Sequence, residues 1–531
     1  MKYLILSACL LAGTSSVFAQ DPTVESSAEL TNIKPDAPWT RTLGYDNSGY
    51  YLLREYGPVS NMKVMVEKYS PTFQPVFNVD VGATGGSFNE NTMHRLTEFS
   101  NGKVYVFLEG WSKSKGENSF LVKVLGEDGT LPTEATLLET EPAPGQMRSS
   151  NYRVRFSPDG TKLLVLTEKP FTKGEKEKQR LQVFNTSNWE SLWKEDIVLD
   201  NEADKYPTNA IQLDNSGTAY LFKDIKISGK EHIYELYTRN GKSSQKQVLD
   251  LQNYFPTHYR MLNNPGGGVI IAGMLAIQGT SATNWLGTWQ LRSNTAGEVT
   301  MNKVEPLGAA VLGLVLSPNQ AAKEGARLDD FVLKDVLLKP SGGLIFMAEQ
   351  QRSNRTAVGT TTPPVYDFDL QFGGIMILSK DASGNSEWNV FYDKAQMVRT
   401  RDPQAHFGSF AYQLKNDKLH LIWNFTDLRN DAPVRNFRYW VDRNGSKINI
   451  DNLYGKEAAY PTLLTVINPD GTFAYSDRTF NSLPLDAIQK PNAFPMAADA
   501  MLFFPTENGT VLVSRMPGID SKRYKFNSIR F

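Results

Sequence analysis

Three arginines stand at similar places in the chain, six or seven residues before a glycine that closes a polar turn motif. They are Arg95 before Gly102, Arg153 before Gly160, and Arg260 before Gly266. An arginine guanidinium carries a permanent positive charge and a planar fork of N–H donors that fits carboxylate or phosphate groups. If the three side chains converge, they form a site for an anionic ligand.

Other side chains with useful chemistry lie beside these arginines. Each arginine directly follows a ring, a fourth copy of the pattern has an aspartate seven residues before Gly342, and three of the five histidines fall at equivalent places. The candidate ligand-binding residues are His94, Arg95, Tyr152, Arg153, His258, Tyr259, Arg260, Asp335 and His406. We interpret them as a cationic, aromatic funnel for an anionic small molecule or a sugar. The alternative is structural: the same side chains bond the backbone and acidic groups of neighbouring repeat units. A one-residue shift in strand register would point each side chain the other way.

The elements that must position these residues are strand–turn–strand units, best seen at 152–167. Ser-Pro-Asp-Gly at 157–160 has the residue types of a tight turn, and the apolar run at 163–166 is typical of a buried strand. Looser copies contain Gly49, Gly102, Gly217, Gly266, Gly342, Asp417, Gly471 and Gly509. The early copies recur at intervals of roughly 50 to 58 residues, a period typical of solenoids, propellers or arrays.

A second hairpin lies between successive turns in most units, with turn glycines such as Gly129, Gly241 and Gly445. Two hairpins per repeat make a four-stranded sheet, which is the blade of a propeller. Residues 155–164, which read Arg-Phe-Ser-Pro-Asp-Gly-Thr-Lys-Leu-Leu, resemble the PD40 repeat of TolB-type and related WD40-like propellers. The resemblance implies a β-propeller. It implies no activity, because the class contains both binding proteins and enzymes.

We therefore predict an all-β fold, in which residues 20–531 form a single β-propeller of four-stranded antiparallel blades. Pairing of the N- and C-terminal strands is expected to close the ring, because it removes a sheet edge. Eight blades are expected, with seven as the alternative, at 39–84, 92–142, 150–200, 206–254, 257–307, 330–398, 405–455 and 460–531. Three insertions interrupt them: 308–329, whose apolar run is either a helix or a buried strand, a polar loop at 352–366, and another loop at 427–437.

The N-terminus predicts export. Residues 1–19 resemble a signal peptide, with Lys2, an apolar stretch at 3–13, and a cleavage site at Val-Phe-Ala, 17–19. The only cysteine, Cys9, lies inside this segment, so the mature chain has neither a disulfide nor a thiol nucleophile. Lipoprotein anchoring through Cys9 is the less favoured alternative. A cysteine-free exported chain fits a bacterial periplasm or the cell exterior.

Composition and motifs restrict the function. The chain has 56 Lys and Arg against 57 Asp and Glu, and this balance argues against nucleic acid as a partner. No run after the signal peptide is long and apolar enough to span a membrane. The histidines lack metal-ligand spacing, Gly-x-Ser-x-Gly is absent, and we expect no metal or other cofactor.

We expect an exported, non-catalytic propeller that binds a protein or glycan partner through its loop face. The alternative is a channel-mouth enzyme of the lyase, lactonase or glycosidase type that acts on an anionic small molecule or sugar. The oligomeric state does not follow from the sequence.

Overall fold

The computed structural model describes residues 23–28, 30, 40–56, 63–82, 92–143, 145, 150–203, 208–228, 231–277, 284–358, 365–392, 394, 396–400, 408–424, 427–428, 440–441, 447–448, 462–472, 497–515 and 524–531. The predicted signal peptide with Cys9, the candidate residue His406, the turn at Gly445, and all but the first two residues of the predicted loop at 427–437 lie outside these ranges. The N-terminal strand β1 (Thr23–Ser26) is followed by eight sheets in chain order.

The first three sheets each contain four antiparallel strands in chain order. They are formed by β2 (Arg41–Asp46), β3 (Gly49–Tyr56), β4 (Lys63–Tyr69) and β5 (Pro75–Asp80); by β6 (Thr92–Ser100), β7 (Lys103–Ser112), β8 (Glu117–Val124) and β9 (Thr136–Pro142); and by β10 (Asn151–Phe156), β11 (Lys162–Glu168), β12 (Lys176–Asn185) and β13 (Ser191–Glu202).

The fourth and fifth sheets repeat this plan, and the sixth enlarges it. Their strands are β14 (Thr208–Leu213), β15 (Ala219–Ser228), β16 (Glu231–Arg239) and β17 (Ser244–Leu249); then β18 (Tyr254–Asn263), β19 (Val269–Ile277), β20 (Gly287–Ser293) and β21 (Val299–Pro306); then β22 (Phe331–Leu338), β23 (Leu344–Val358), β24 (Val365–Lys380) and β25 (Ser386–Tyr392). Two short helices, α1 (Ala309–Leu312) and α2 (Pro318–Ala321), connect the fifth sheet to the sixth. The apolar run in that insertion is therefore helical at its start.

The sixth sheet also carries β26 (Gln396–Thr400) and β29 (Asp427–Leu428), which extend it beside β24. The seventh sheet shows three strands in the described residues: β27 (Ala411–Lys415), β28 (Lys418–Asn424) and β32 (Thr462–Ile467). A separate pair is formed by β30 (Trp440–Val441) and β31 (Lys447–Ile448). The eighth sheet contains β33 (Ala497–Thr506), β34 (Gly509–Arg515) and β35 (Tyr524–Arg530), and β1 pairs antiparallel with β35 as its outermost strand.

Eight apolar clusters of the described residues lie one in each seam between neighbouring sheets, and a ninth, small cluster contains Leu370 and Phe372 of β24. One cluster joins Leu52 and Tyr69 of the first sheet to Phe504 and Phe526 of the eighth, so the sheets form a closed ring. Each sheet is a blade that buries apolar side chains against both neighbours, and the prediction of an all-β, eight-bladed propeller is confirmed. The first strand of each blade lies innermost. That residues 20–531 form one domain stays a prediction.

The recurring turn has a defined geometry. In the third blade, the N–H of Gly160 donates to the carbonyl of Ser157 at 2.8 Å, and Gly160 has a φ of 67°, which glycine adopts at low cost. In the fifth blade the equivalent bond is made by Gly267, with a φ of 88°, and not by Gly266. The predicted turn position was therefore wrong by one residue. Arg260 lies seven residues before Gly267, the spacing that Arg95, Arg153 and Asp335 also have.

Two predicted boundaries are also wrong. Residues 352–358 and 365–366 are not a loop, because they belong to the 15-residue β23 and the 16-residue β24, which pair as a long hairpin beyond the edge of the blade. Residues 462–467, which were assigned to the last blade, pair with β28 and complete the seventh. An insertion between β28 and β32 displaces this strand along the chain, so the turn at Gly471 and the turn at Gly509 belong to different blades.

Strand alternation gives the ring two unlike faces. Antiparallel strands place the first and third turns of every blade on one side, which we call the turn face. The connections from second to third strand, and from one blade to the next, lie on the opposite side, which we call the loop face. The long β23–β24 hairpin and the two helices belong to the loop face.

A buried ion pair fastens the sixth blade to the chain that leads into the seventh. Glu349, on β23, is fully buried and accepts hydrogen bonds from the Lys394 ammonium, from the Ser409 hydroxyl at 2.6 Å, and from the Gln351 amide at 2.9 Å. The Lys394 ammonium also donates to Gln396 at 2.8 Å. Removal of one partner from such a pair leaves an uncompensated buried charge.

We expect Lys394→Met to destabilise the fold by about 3 kcal/mol, and the double change Glu349→Gln with Lys394→Met to cost less. The matched control is Lys178→Met, which removes an exposed pair with Glu175 at 3.0 Å and is expected to cost less than about 1 kcal/mol. The measurement is the midpoint of urea unfolding. Equal shifts for Lys394→Met and Lys178→Met would show that the buried pair has no special role.

Candidate functional site

The arginines of the innermost strands bond the next blade along the chain. Arg153 Nη1 donates to the carbonyl of Asn209 at 2.9 Å, and Arg260 Nη2 makes the same 2.9 Å bond to the carbonyl of Lys334. Arg95 donates to the side-chain oxygen of Asn151. In all three cases the acceptor belongs to the innermost strand of the following blade, so these side chains connect blades in one rotational direction.

Each of these arginines also lies near a carboxylate. Arg95 Nε is 3.9 Å from Glu109, Arg153 Nη1 is 3.7 Å from Glu168, and Arg260 Nε is 3.1 Å from Asp335. The positive charges are therefore balanced locally. The arginines act as inter-blade fasteners, which is the structural alternative stated above. A ligand role for them stays a prediction.

Asp335 belongs to the same connected system. It accepts a hydrogen bond from Arg260 of the fifth blade and one of 2.5 Å from the Tyr412 hydroxyl of the seventh. Arg260 and Asp335 are thus brought together. The arginines of the second, third and fifth blades lie at three different seams, each bonded to the blade that follows it.

The aromatic candidates differ in exposure. Tyr152 is 2% exposed and stacks on Phe120, with ring centroids 4.5 Å apart and an interplanar angle of 9°. Tyr259 is half-buried and meets Phe222 edge-on at 5.0 Å. Burial and the nearby carboxylate of Asp224 raise the pKa of Tyr259 to about 12. Tyr152 is therefore a packing residue, whereas Tyr259 keeps some access to solvent.

Two candidate histidines, His94 and His258, lie in the described residues, and burial favours their neutral form. His94 Nε2 lies 2.8 Å from the Thr97 hydroxyl, and burial, with a smaller effect from Arg41, lowers the pKa of His94 to about 4. Burial and the charge of Arg260 also lower the pKa of His258. Burial disfavours the imidazolium because it removes water from the charged form. Both histidines are therefore uncharged at neutral pH.

Sequence reasoning missed several members of the inter-blade system. Arg41 donates to the carbonyl of Thr97, Arg155 Nε to that of Ile211 at 3.4 Å, and Gln413 Nε2 to that of Thr506 at 2.7 Å. Lys334 Nζ donates to the Ser409 hydroxyl at 2.9 Å. The signal for Arg155 was present, because residues two apart on a strand share a face with Arg153. Gln413 gave no such signal in the sequence, because its side chain is uncharged.

The described residues show neither a metal centre nor a helical membrane span. Among them no group of three or more His, Cys, Asp or Glu side chains could hold a metal ion. In the same part of the chain, no helix is long and apolar enough to cross a membrane.

Comparisons with known proteins add only distant structural likeness. No protein-family model matches the chain, so the resemblance to PD40 repeats is not confirmed, and no curated protein matches either. Among solved structures, the β-propeller domain of the Trilobed protease from Pyrococcus furiosus is similar at 9% identity and a TM-score of 0.34, covering 68% of this chain and 93% of that one. A protein of unknown function from Bacteroides caccae has 13% identity and a TM-score of 0.28, with 64% and 92% covered. An α-L-arabinanase from Penicillium chrysogenum has 12% identity and a TM-score of 0.29, with 61% and 94% covered.

Loss of one fastener should weaken the fold modestly. We expect Arg153→Ala to destabilise the protein by about 1 kcal/mol, because one charge-assisted bond is lost at a partly exposed site. Arg153→Lys should recover little, since an ammonium does not reproduce the guanidinium fork. Thermal unfolding measures both variants, and an Arg153→Ala protein as stable as the wild type would contradict the fastener assignment.

His94 makes stability depend on pH. The unfolded chain takes up a proton on His94 near pH 6.5, whereas the folded chain takes it up near pH 4. The unfolded state therefore binds more protons between these values, and stability falls as the pH decreases through that window. We expect His94→Gln to reduce the slope of unfolding free energy between pH 6.5 and 5, where carboxylates titrate little. An unchanged slope in urea titrations would contradict this assignment.

Proposed function

We propose that the chain is an exported β-propeller that binds a protein or glycan partner through its loop face without chemical conversion of that partner. The observation that carries the proposal is the asymmetry of the two faces. In the described residues, the turn face consists mainly of short turns, whereas the loop face carries the long hairpin and the two helices. Long connections on a rigid scaffold are where binding residues concentrate.

Exposed apolar side chains also support partner binding through the loop face. Met93 begins an innermost strand, Phe171 lies in a connection between second and third strands, and Ile227 and Ile277 lie at the ends of second strands. Leu314 follows α1 in the link to the sixth blade. These five side chains lie at the loop face of blades two to six, and the other exposed large apolar residues lie on outermost strands. Each belongs to a different blade or link, so they offer separate apolar contacts on this face and not one contiguous patch.

The alternative, a channel-mouth enzyme, has less support. Its proposed residues Arg95, Arg153 and Arg260 are bonded to neighbouring blades and balanced by carboxylates. His94 is hydrogen-bonded to Thr97, and its low pKa keeps it from acting as a general acid at neutral pH. Export to the periplasm or cell exterior is part of the proposal and rests on the sequence of residues 1–19.

A face-specific block tests the proposal. The only cysteine lies within the predicted signal peptide, so chain 20–531 can carry a single introduced thiol. Phe171→Cys places it on the loop face, and Lys242→Cys places it in an exposed turn of the turn face. Each variant is coupled to a bulky polyethylene glycol. The partner is first selected with unmodified protein, on a glycan array and by cross-linking in the cells that export it.

We expect the polymer at position 171 to reduce partner binding at least tenfold, and the polymer at position 242 to leave it within about twofold, since it projects from the opposite side. Surface plasmon resonance measures both. Loss of binding only with the modified Lys242→Cys protein would overturn the assignment to the loop face. Release of an altered partner molecule by the unmodified protein would favour the enzyme.

A further inference from the structure

The fourth blade lacks the arginine that the neighbouring blades have. One equivalent position is the fourth residue from the end of the innermost strand. In blades three to six it is held by Arg153, Ala210, Arg260 and Asp335. Arg153 and Arg260 use this position to reach a carbonyl of the next blade. Ala210 has no such reach. The seam between the fourth and fifth blades is therefore without this fastener.

Polar side chains of the fourth blade lie on the same sheet face as Ala210. Ala210 pairs with Phe222, and Asp224 pairs with Tyr234, so these four residues share the sheet face that packs on the fifth blade. His232 lies two residues before Tyr234 and shares that face, with its Nδ1 2.6 Å from an Asp224 carboxylate oxygen.

Aromatic rings connect this group to the fifth blade. Phe222 lies between Tyr234, with ring centroids 6.1 Å apart and nearly parallel, and Tyr259 of the fifth blade, which it meets edge-on at 5.0 Å. The ring of His232 stacks on Tyr234 at 6.2 Å. The phenol hydroxyls of Tyr234 and Tyr259, the imidazole of His232 and the carboxylate of Asp224 thus belong to residues that contact one another or Phe222 at this seam.

The hydroxyls of this group lack partners. Tyr234 is 2% exposed, and its hydroxyl has no hydrogen bond among the described residues. The same part of the chain gives none to the Tyr259 hydroxyl, or to the second ring nitrogen of His232. A buried hydroxyl without a partner is costly, and a water or a ligand that bonds to it removes that cost. The charge of Arg153, on the third blade, acts on Tyr259 and opposes that of Asp224.

We infer that this seam, which we call the Ala210 pocket and which is lined by Ala210, Asp224, His232, Tyr234 and Tyr259, binds a hydroxyl-rich ligand, the end of a glycan chain. Its unused groups are mostly neutral donors and acceptors at close spacing, and the charges of Asp224 and Arg153 are opposite. Sugar hydroxyls both donate and accept hydrogen bonds, and the aromatic neighbours suit the apolar face of a pyranose. The inference rests on the proposed function and selects the glycan from its two kinds of partner.

Three substitutions test the pocket. Ala210→Arg supplies the missing arginine, whose guanidinium should reach the carbonyl of Tyr259 as Arg153 reaches that of Asn209, and so fills the pocket. Tyr234→Phe and Tyr259→Phe remove hydroxyls and keep the rings. The control is Tyr152→Phe, which changes a packed tyrosine at another seam. Chain 20–531 is applied to an array of neutral and acidic oligosaccharides, and calorimetry follows with the best-bound oligosaccharide.

We expect Ala210→Arg to abolish binding while its melting temperature stays equal to or above that of the wild type. Tyr259→Phe and Tyr234→Phe should each weaken binding about threefold to tenfold, the loss of one hydrogen bond, and Tyr152→Phe less than about twofold. Tyr234→Phe should not lower the melting temperature, because its hydroxyl has no partner to lose. If Ala210→Arg does not fold, the double variant Tyr234→Phe/Tyr259→Phe is used instead, and it should weaken binding more than either single change.

Two results would overturn the inference. In the first, an oligosaccharide binds all pocket variants as tightly as it binds the wild type. Its site then lies elsewhere on the protein, so the Ala210 pocket is rejected while the proposed function stands. Retention of no oligosaccharide by the wild type would reject a glycan site. The polymer-coupled variants, assayed with a cross-linked protein partner, would then decide the proposed function independently.

Discussion

The ring depends on how the backbone carbonyls of each innermost strand find hydrogen-bond donors along the edge that faces away from its own blade. An innermost strand pairs only with the second strand, so half of its carbonyls have no ladder partner. Arg41, Arg153 and Arg260 each donate to such a carbonyl of the following blade, and Gln413 does so with an amide. The same bonds therefore satisfy an edge strand and fix the angle between blades. The apolar clusters supply most of the seam's burial, and these polar bonds set its alignment.

This constraint explains why the candidate residues recurred without forming one site. A side chain seven residues before the turn glycine lies at the seam in every blade, so a repeated arginine there indicates a repeated contact. Ring symmetry then places the copies at different seams. The spacing from arginine to turn glycine is seven residues in all three blades when Gly267, and not Gly266, is taken as the turn residue. Both positions hold glycine, so only the backbone geometry of the turn distinguishes them.

The fold itself was largely predictable, because turn chemistry and apolar runs are local signals. The errors arose where local patterns are ambiguous. Residues 352–358 are polar on both faces because their hairpin extends beyond the blades, so the alternation that marks a half-buried strand is missing. Residues 462–467 look like the start of a blade because the insertion before them separates them from β28. The pair Asp224–His232 was also missed, since it forms across a hairpin and has no spacing signature.

In a repeat protein, the departure from the repeat carries more functional information than the repeat. Where arginine recurs, its bond to the next blade fastens the seam. Where Ala210 stands instead, a tyrosine hydroxyl is buried without a described partner, and a histidine is oriented by a carboxylate with its second nitrogen unused. Stability alone would favour an arginine or a purely apolar surface at that seam. A polar but unsatisfied arrangement costs stability in the free protein, and a ligand that supplies the missing hydrogen bonds recovers it. The same reasoning leads from the repeated inter-blade bond to the seam at Ala210, in the blade between two whose equivalent residue is arginine.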